Sequence, residues 1–207
     1  MVGVDSNLIN AVTFDFDGTL VWTNEKKIKA ITRVFTSYGV QPLSEIETYR
    51  LSREELAHYI VKKNNTLPAD GSRLVLEALN SEIEAIYQPS AVIHSAERTI
   101  KDLLSAGIPV GLVSANPEEM LEGYARMCFP AVLFSFMYGR PKTKLQSLQC
   151  IRSRFGDEIV HIGDGPDDLK ACEELNVEFH LVGENPGLSA MFSRTNWDDL
   201  RRRLGID

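Results

Sequence analysis

Cysteine is scarce in this 207-residue chain. Cys128, Cys150 and Cys172 are odd in number and lack the paired spacing of a metal site. They read as small core residues in a reducing cytoplasm, which excludes a disulfide framework. Long apolar runs are also missing. None approaches the roughly 18 residues of a membrane-spanning helix, so no membrane partner is expected. The start, MVGVDSNLIN, lacks the basic segment and long apolar stretch of a signal peptide. Positive charge is in deficit: 22 Lys and Arg stand against 29 Asp and Glu, a net charge of -7. That balance argues against a nucleic-acid partner. The local exception, Arg201 to Arg203, reads as the basic last turn of a helix. No internal repeat or low-complexity segment interrupts the chain. What remains is 43% apolar and 25% charged residues, an ordinary globular composition. The length allows one sizeable core and a smaller insertion.

Periodicity divides the chain into two kinds of segment. Val12 to Phe16 reads as a strand, and Glu25 to Tyr38 as a helix with Ile28, Ile31, Val34, Phe35 and Tyr38 on one face. Further helices follow, one opened by Ser52 with Glu55 three residues on, a capping-box pattern, and another from about Arg73 to Tyr87. From Trp22 to Ser90 no strand is expected. Beyond it, helices alternate with apolar runs: Ala96 to Ser105 before IPVGLVS, Glu118 to Met127 before AVLFSF, Lys144 to Phe155 before EIVHIG, and Asp168 to Leu175 before VEFHLV. Alternation of this kind predicts an α/β fold, a doubly wound parallel sheet covered on both faces. The domains expected are a core of residues 1–21 and 91–207 and an inserted all-helical block of residues 22–90.

In such sheets ligands bind beyond the carboxyl ends of the strands. The polar residues fall there. The first strand runs into Asp15-Phe16-Asp17-Gly18-Thr19, the second into Ser114-Ala115-Asn116, and EIVHIG into Asp164-Gly165-Pro166-Asp167-Asp168. Gly139-Arg140-Pro141-Lys142-Thr143-Lys144 precedes the helix that leads to that last strand. Asp15 and Asp17, two apart, are expected on the same side of a strand, where like charges repel. Several carboxylates at close quarters need a cation, and an all-oxygen set suits Mg²⁺. With a lysine and a hydroxyl added, the group that fits is phosphoryl. One aspartate can attack phosphorus, and a second can protonate the leaving oxygen and then activate water. Asn116 before Pro117 reads by default as a helix N-cap. His94 and His161 read as structural.

These residues resemble the haloacid dehalogenase-like superfamily through four ordered motifs, DFDGTL, LVSAN, GRPKTK and IGDGPDD. The resemblance implies a Rossmann-like core with an inserted helical cap, as in the phosphoglycolate phosphatase type. It makes Asp15 the nucleophile and Asp17 the general acid/base, with the Asp17 backbone carbonyl on the metal. Asp15, Asp17, Asp164 and Asp168 form the implied Mg²⁺ site, Asp168 supporting Asp164. Ser114, with Ala115, Asn116, Gly18 and Thr19, binds the phosphate. The third motif offers two lysines. Counting back from Gly156 favours Lys142, whereas the helical phase Lys144, Leu148, Ile151, Phe155 favours Lys144, the preferred choice. The family spacing selects Asp168 over Asp167. A cap hinged near Leu20 to Thr23 and Gln88 to Ser90 would present Trp22, Asn24 and Lys27 to substrate.

The expectation is a Mg²⁺-dependent phosphatase of a small phosphorylated metabolite. The alternatives are a phosphomutase, a phosphonate hydrolase using Lys26, Lys27 or Lys29, and a non-catalytic phosphate-binding domain.

Overall fold

The computed structural model describes residues 9–64, 66–68, 70–183 and 195–206. The signal-peptide reading of the first residues lies largely outside them. Among the described residues no helix is long and apolar enough to cross a membrane. The chain forms two compact units, one of residues up to Trp22 with Pro89 onward, the other Thr23–Gln88.

Among the described residues the first unit is built on five parallel strands: β1 (Ala11–Phe14), β2 (Val110–Pro117), β3 (Phe136–Arg140), β4 (Ile159–Gly163) and β5 (Glu178–Leu181). Their order is β3-β2-β1-β4-β5, so the chain winds outward from β1 in both directions. This is the expected doubly wound α/β sheet. Among the described residues its α-helices are α5 (His94–Ser105), α6 (Glu118–Cys128), α7 (Lys144–Phe155), α8 (Pro166–Leu175) and α9 (Trp197–Arg203). On one face Leu148 and Ile151 of α7 and Ala171 and Cys172 of α8 pack with Ala11, Val113 and Ile159. On the other, Phe14 stacks with Trp197 of α9 at 6.4 Å. Alternation along β1 therefore sends Ala11 and Phe14 to opposite faces.

Several boundaries differ from expectation. β1 ends at Phe14, although Asp15 still donates its N–H to Ile162 O at 2.8 Å. Asp17 lies outside the named strands, in an isolated bridge to Val21. The two acids thus share no strand face, because the chain turns between them. The third strand is FMYGR rather than AVLFSF, and Leu133, inside the expected strand, is 88% exposed. Cys128 and Cys172 are buried as expected, but Cys150 is exposed on α7. Arg201, in the last turn of α9, is buried, paired with Asp102 and bonded to Ile206 O. It does more than complement a helix end.

Among the described residues the second unit holds four α-helices, α1 (Asn24–Ser37), α2 (Glu45–Arg50), α3 (Arg53–Lys63) and α4 (Gly71–Glu84). Capping boxes open α2 at Ser44 and α3 at Ser52. The core joins Ala30, Ile31, Val34 and Phe35 of α1 to Leu56 and Ile60 of α3 and Val75, Leu79 and Ile83 of α4.

Candidate active site

Four loops leave the carboxyl ends of β1, β2, β3 and β4, and their side chains meet at one edge of the sheet. After β1 the chain reverses within a few residues: Gly18, at φ +78°, donates its N–H to Val21 O at 2.8 Å. A positive φ of this size suits glycine. The turn leaves Asp15 buried at 6% exposure. Thr19, fully buried behind it, donates to Asp164 Oδ1 at 3.4 Å.

The lysine is delivered by helix α7. The Thr143 hydroxyl accepts from Gln146 N–H at 3.2 Å, and Gln146 Oε1 accepts from Thr143 N–H at 2.9 Å. This capping box makes Lys144 the first helical residue. Its ammonium lies 3.2 Å from Asp15 Oδ1 and 2.5 Å from Asp168 Oδ1. Lys142 is engaged elsewhere: it donates to Glu118 Oε2 at 3.0 Å and lies over the Tyr138 ring. The T-x-x-Q pattern that places Lys144 at the helix start was present in the sequence.

Asp168 is completely buried. Its Oδ1 takes the lysine and His161 Nε2 at 2.7 Å, and its Oδ2 accepts Gly165 N–H at 3.1 Å. Gly163 makes the position possible, since a Cβ there would come within 2.5 Å of Asp168 Cγ. His161, also fully buried, faces Thr13 Oγ1 through Nδ1 at 2.7 Å. As an acceptor, the ionised Asp168 selects the Nε2–H tautomer. His161 thus supports the site by holding Asp168 from within the core. Its position three residues before Asp164, in the middle of an apolar strand, was the available signal. Asp167 is exposed in the first turn of α8.

The end of β2 departs from the expected capping. Helix α6 begins at Glu118 without any side-chain cap bond. Asn116, 4% exposed, donates from Nδ2 to Asp17 Oδ2 at 2.6 Å and to Ser114 Oγ at 3.2 Å. Its backbone N–H also donates to Ser114 Oγ, at 3.2 Å. Ser114 is buried, whereas Ala115 beside it is exposed.

The electrostatics follow from burial. Desolvation, opposed by Lys144 but reinforced by Asp168 and Asp17, raises Asp15 to about 6. Desolvation with repulsion from Asp15 and Asp168 raises Asp164 to about 8. Burial also acts on Asp168, but Lys144 and His161 outweigh it and hold this acid at about 2. Lys144 is raised despite burial, by Asp15 and Asp168. Oxygens of Asp15, Asp164 and Asp168 lie within 4.8 Å of one another. One lysine does not neutralise three buried carboxylates, and the all-oxygen set fits a hard divalent cation.

A model of the haloacid dehalogenase-like hydrolase family matches residues 9–176. The putative pyrophosphatase PpaX of Clostridium perfringens (strain 13 / Type A) is 27% identical over 187 residues, 86% of this chain and 77% of that protein. A phosphoglycolate phosphatase of Synechococcus elongatus is 22% identical over 174 residues, covering 82% of this chain and 81% of its own. Among solved structures, a beta-phosphoglucomutase of Clostridium difficile superposes with a TM-score of 0.71 at 16% identity, over 95% of this chain and 97% of that one.

Proposed function

This chain belongs to the haloacid dehalogenase-like hydrolases, and from that premise we propose that it is a Mg²⁺-dependent phosphatase of a small phosphomonoester. The observation that carries the reading is the buried Asp15 at the end of β1, with Lys144 3.2 Å away and Asp164 and Asp168 beside it. Both sequence relatives bear the names of phosphate-releasing hydrolases.

Asp15 attacks phosphorus, and the bond from phosphorus to the leaving oxygen breaks. Its electron pair goes to that oxygen, which takes a proton from Asp17. Water then attacks the aspartyl-phosphate. Asp17 takes the water proton, the Asp15–phosphorus bond breaks, and inorganic phosphate leaves. Lys144 and the Ser114 hydroxyl hold phosphoryl oxygens, whereas the Gly18 and Asn116 N–H groups are engaged by Val21 O and Ser114 Oγ. Asp15, Asp164 and the Asp17 carbonyl would hold Mg²⁺, which when bound neutralises phosphoryl charge. Asp168, most of whose lone pairs are taken by Lys144, His161 and Gly165, supports from behind. The helical unit Thr23–Gln88 is inserted in sequence between Asp17 and Ser114. We assign to it the role of the family's cap and the selection of the leaving group, with Trp22, Asn24 and Lys27 as candidate contacts.

The test is phosphate release from p-nitrophenyl phosphate with and without Mg²⁺. Asp15→Asn is expected to abolish release, and chelation to suppress it. Turnover that survives either one overturns the reading.

A further inference from the structure

We infer that His161 is a positioning residue of this reaction: from within the core it holds Asp168 so that the Lys144 ammonium stays aimed at Asp15. The inference rests on the phosphatase reading and concerns a side chain that acts only through its neighbours.

The side chains close a ring that begins and ends on one strand. Thr13 of β1 and His161 of β4 are register partners, and Thr13 Oγ1 lies 2.7 Å from His161 Nδ1. That hydroxyl also lies 3.2 Å from Val160 O, on the same strand as the imidazole. His161 Nε2 meets Asp168 Oδ1 at 2.7 Å. The Lys144 ammonium reaches the same oxygen at 2.5 Å and Asp15 Oδ1 at 3.2 Å. Asp15 follows Thr13 by two residues. The nucleophile and the cation beside it are therefore tied by two routes, the backbone of β1 and the chain of side chains. Thr13, His161 and Asp168 are all fully buried, and the Phe179 ring flanks the imidazole at 6.3 Å.

Packing alone does not call for a histidine here. The other side chains of β4 are apolar, and a buried polar ring is costly unless its nitrogens are bonded. What the imidazole adds is a fixed point at Asp168 Oδ1. A lysine carries its charge on a long flexible stem, so the ammonium sits where its partners hold it. Oδ1 lies between that mobile group and a ring packed into the sheet. With the imidazole removed, the carboxylate keeps the Gly165 N–H on Oδ2 and turns about it. The ammonium then follows Oδ1 away from Asp15. A misplacement of about 1 Å at a reacting centre costs on the order of 100-fold.

A double-mutant cycle tests whether His161 acts through the lysine. Phosphate release from p-nitrophenyl phosphate is measured as kcat/KM at one fixed pH with saturating Mg²⁺, at a temperature where every variant is folded. With Lys144 in place, His161→Phe is expected to lower kcat/KM by about 10- to 100-fold, the usual effect of losing such a supporting partner. In a Lys144→Ala background the same substitution should cost less than about threefold, because no ammonium is left to aim. His161→Gln, whose amide N–H can stand in for Nε2–H, should restore most of the lost activity. A histidine that merely stabilises the core gives equal losses with and without Lys144 and no rescue by glutamine. Either result overturns the inference, as does wild-type turnover in His161→Phe. If His161→Phe does not fold, His161→Asn, whose amide stops short of Asp168, replaces it in the cycle. Asp15→Asn in parallel distinguishes the failures: activity surviving there overturns the phosphatase reading itself.

Discussion

Lys142 and Lys144 are two residues apart, yet their surroundings suit them differently to the proposed phosphoryl transfer. Lys144 sits against Asp15 and Asp168 with a side chain 12% exposed, while Lys142 pairs with a half-exposed Glu118. A buried charge-assisted contact is worth far more than an exposed pair. Lys144→Ala is therefore expected to reduce kcat/KM for p-nitrophenyl phosphate by about 100- to 1,000-fold, in the range seen when a transition-state donor is removed. Lys142→Ala should stay within about threefold, as expected for a solvated ion pair. Comparable losses in both variants would contradict this assignment. Residue type and spacing brought Asp15, Asp164, Asp168 and the lysine pair into view without coordinates. Helical phase preferred Lys144, but it could not show that Lys142 is turned to Glu118. Nor did residue type or spacing reveal the Asn116 bond to Asp17, which joins residues 99 positions apart. Local pattern carries no record of such a contact.

Among the elements, the helices were the most legible. Lys144–Phe155 appears with the expected limits, since Thr143 and Gly156 mark its ends. Strand limits were less legible. AVLFSF is as apolar as a strand should be, but the chain pairs from Phe136, which lies opposite Gly111 of β2. That register is chosen by the neighbouring strand, and periodicity within one segment cannot fix it. The turn from β4 into α8 is more constrained than its sequence suggests. A methyl on Gly163 would strike Asp168 at Cγ, Cβ and Oδ2, all within 2.8 Å. Gly163→Ala is expected to cost about 1–3 kcal/mol, as overpacking does, and to lower activity by displacing the partner of Lys144. Gly123, exposed in α6 with open space around its Cβ, should behave oppositely. Gly123→Ala should gain about 0.5–1 kcal/mol from helix propensity. Urea midpoints of the two variants check both signs, and a stabilised Gly163→Ala would refute the crowding.

For the molecule as a whole, the acidic edge is expected to couple stability to pH and to the proposed cation. In the unfolded chain these carboxyls titrate at the ordinary value of about 3.9. In the fold, Asp15 is raised to about 6 and Asp164 to about 8, chiefly by desolvation. Between roughly pH 4 and pH 8 the folded protein therefore binds protons that the unfolded chain has released. The contribution of such raised acids is fully present below the unfolded value and is lost as pH rises through the folded ones. Asp168, held at about 2 by Lys144 against its burial, has the opposite sign. Its stabilisation is present above about 4 and is lost as pH falls toward 2, outside the window that concerns the other two. With chelator present, the melting temperature should thus decline from pH 5 to pH 8. Each kcal/mol lost corresponds to about 2–4 °C in a chain of this size. The divalent cation proposed for this site would act against that decline, by binding the ionised carboxylates of the fold and not the unfolded chain. Millimolar Mg²⁺ should raise the melting temperature more at pH 8 than at pH 5. Asp164→Asn, which removes the most raised acid and a proposed ligand, should flatten both the pH decline and the Mg²⁺ response. A melting temperature that climbs with pH in chelator, or an equal Mg²⁺ gain at both pH values, would show that the carboxylate edge is not where cation and proton compete.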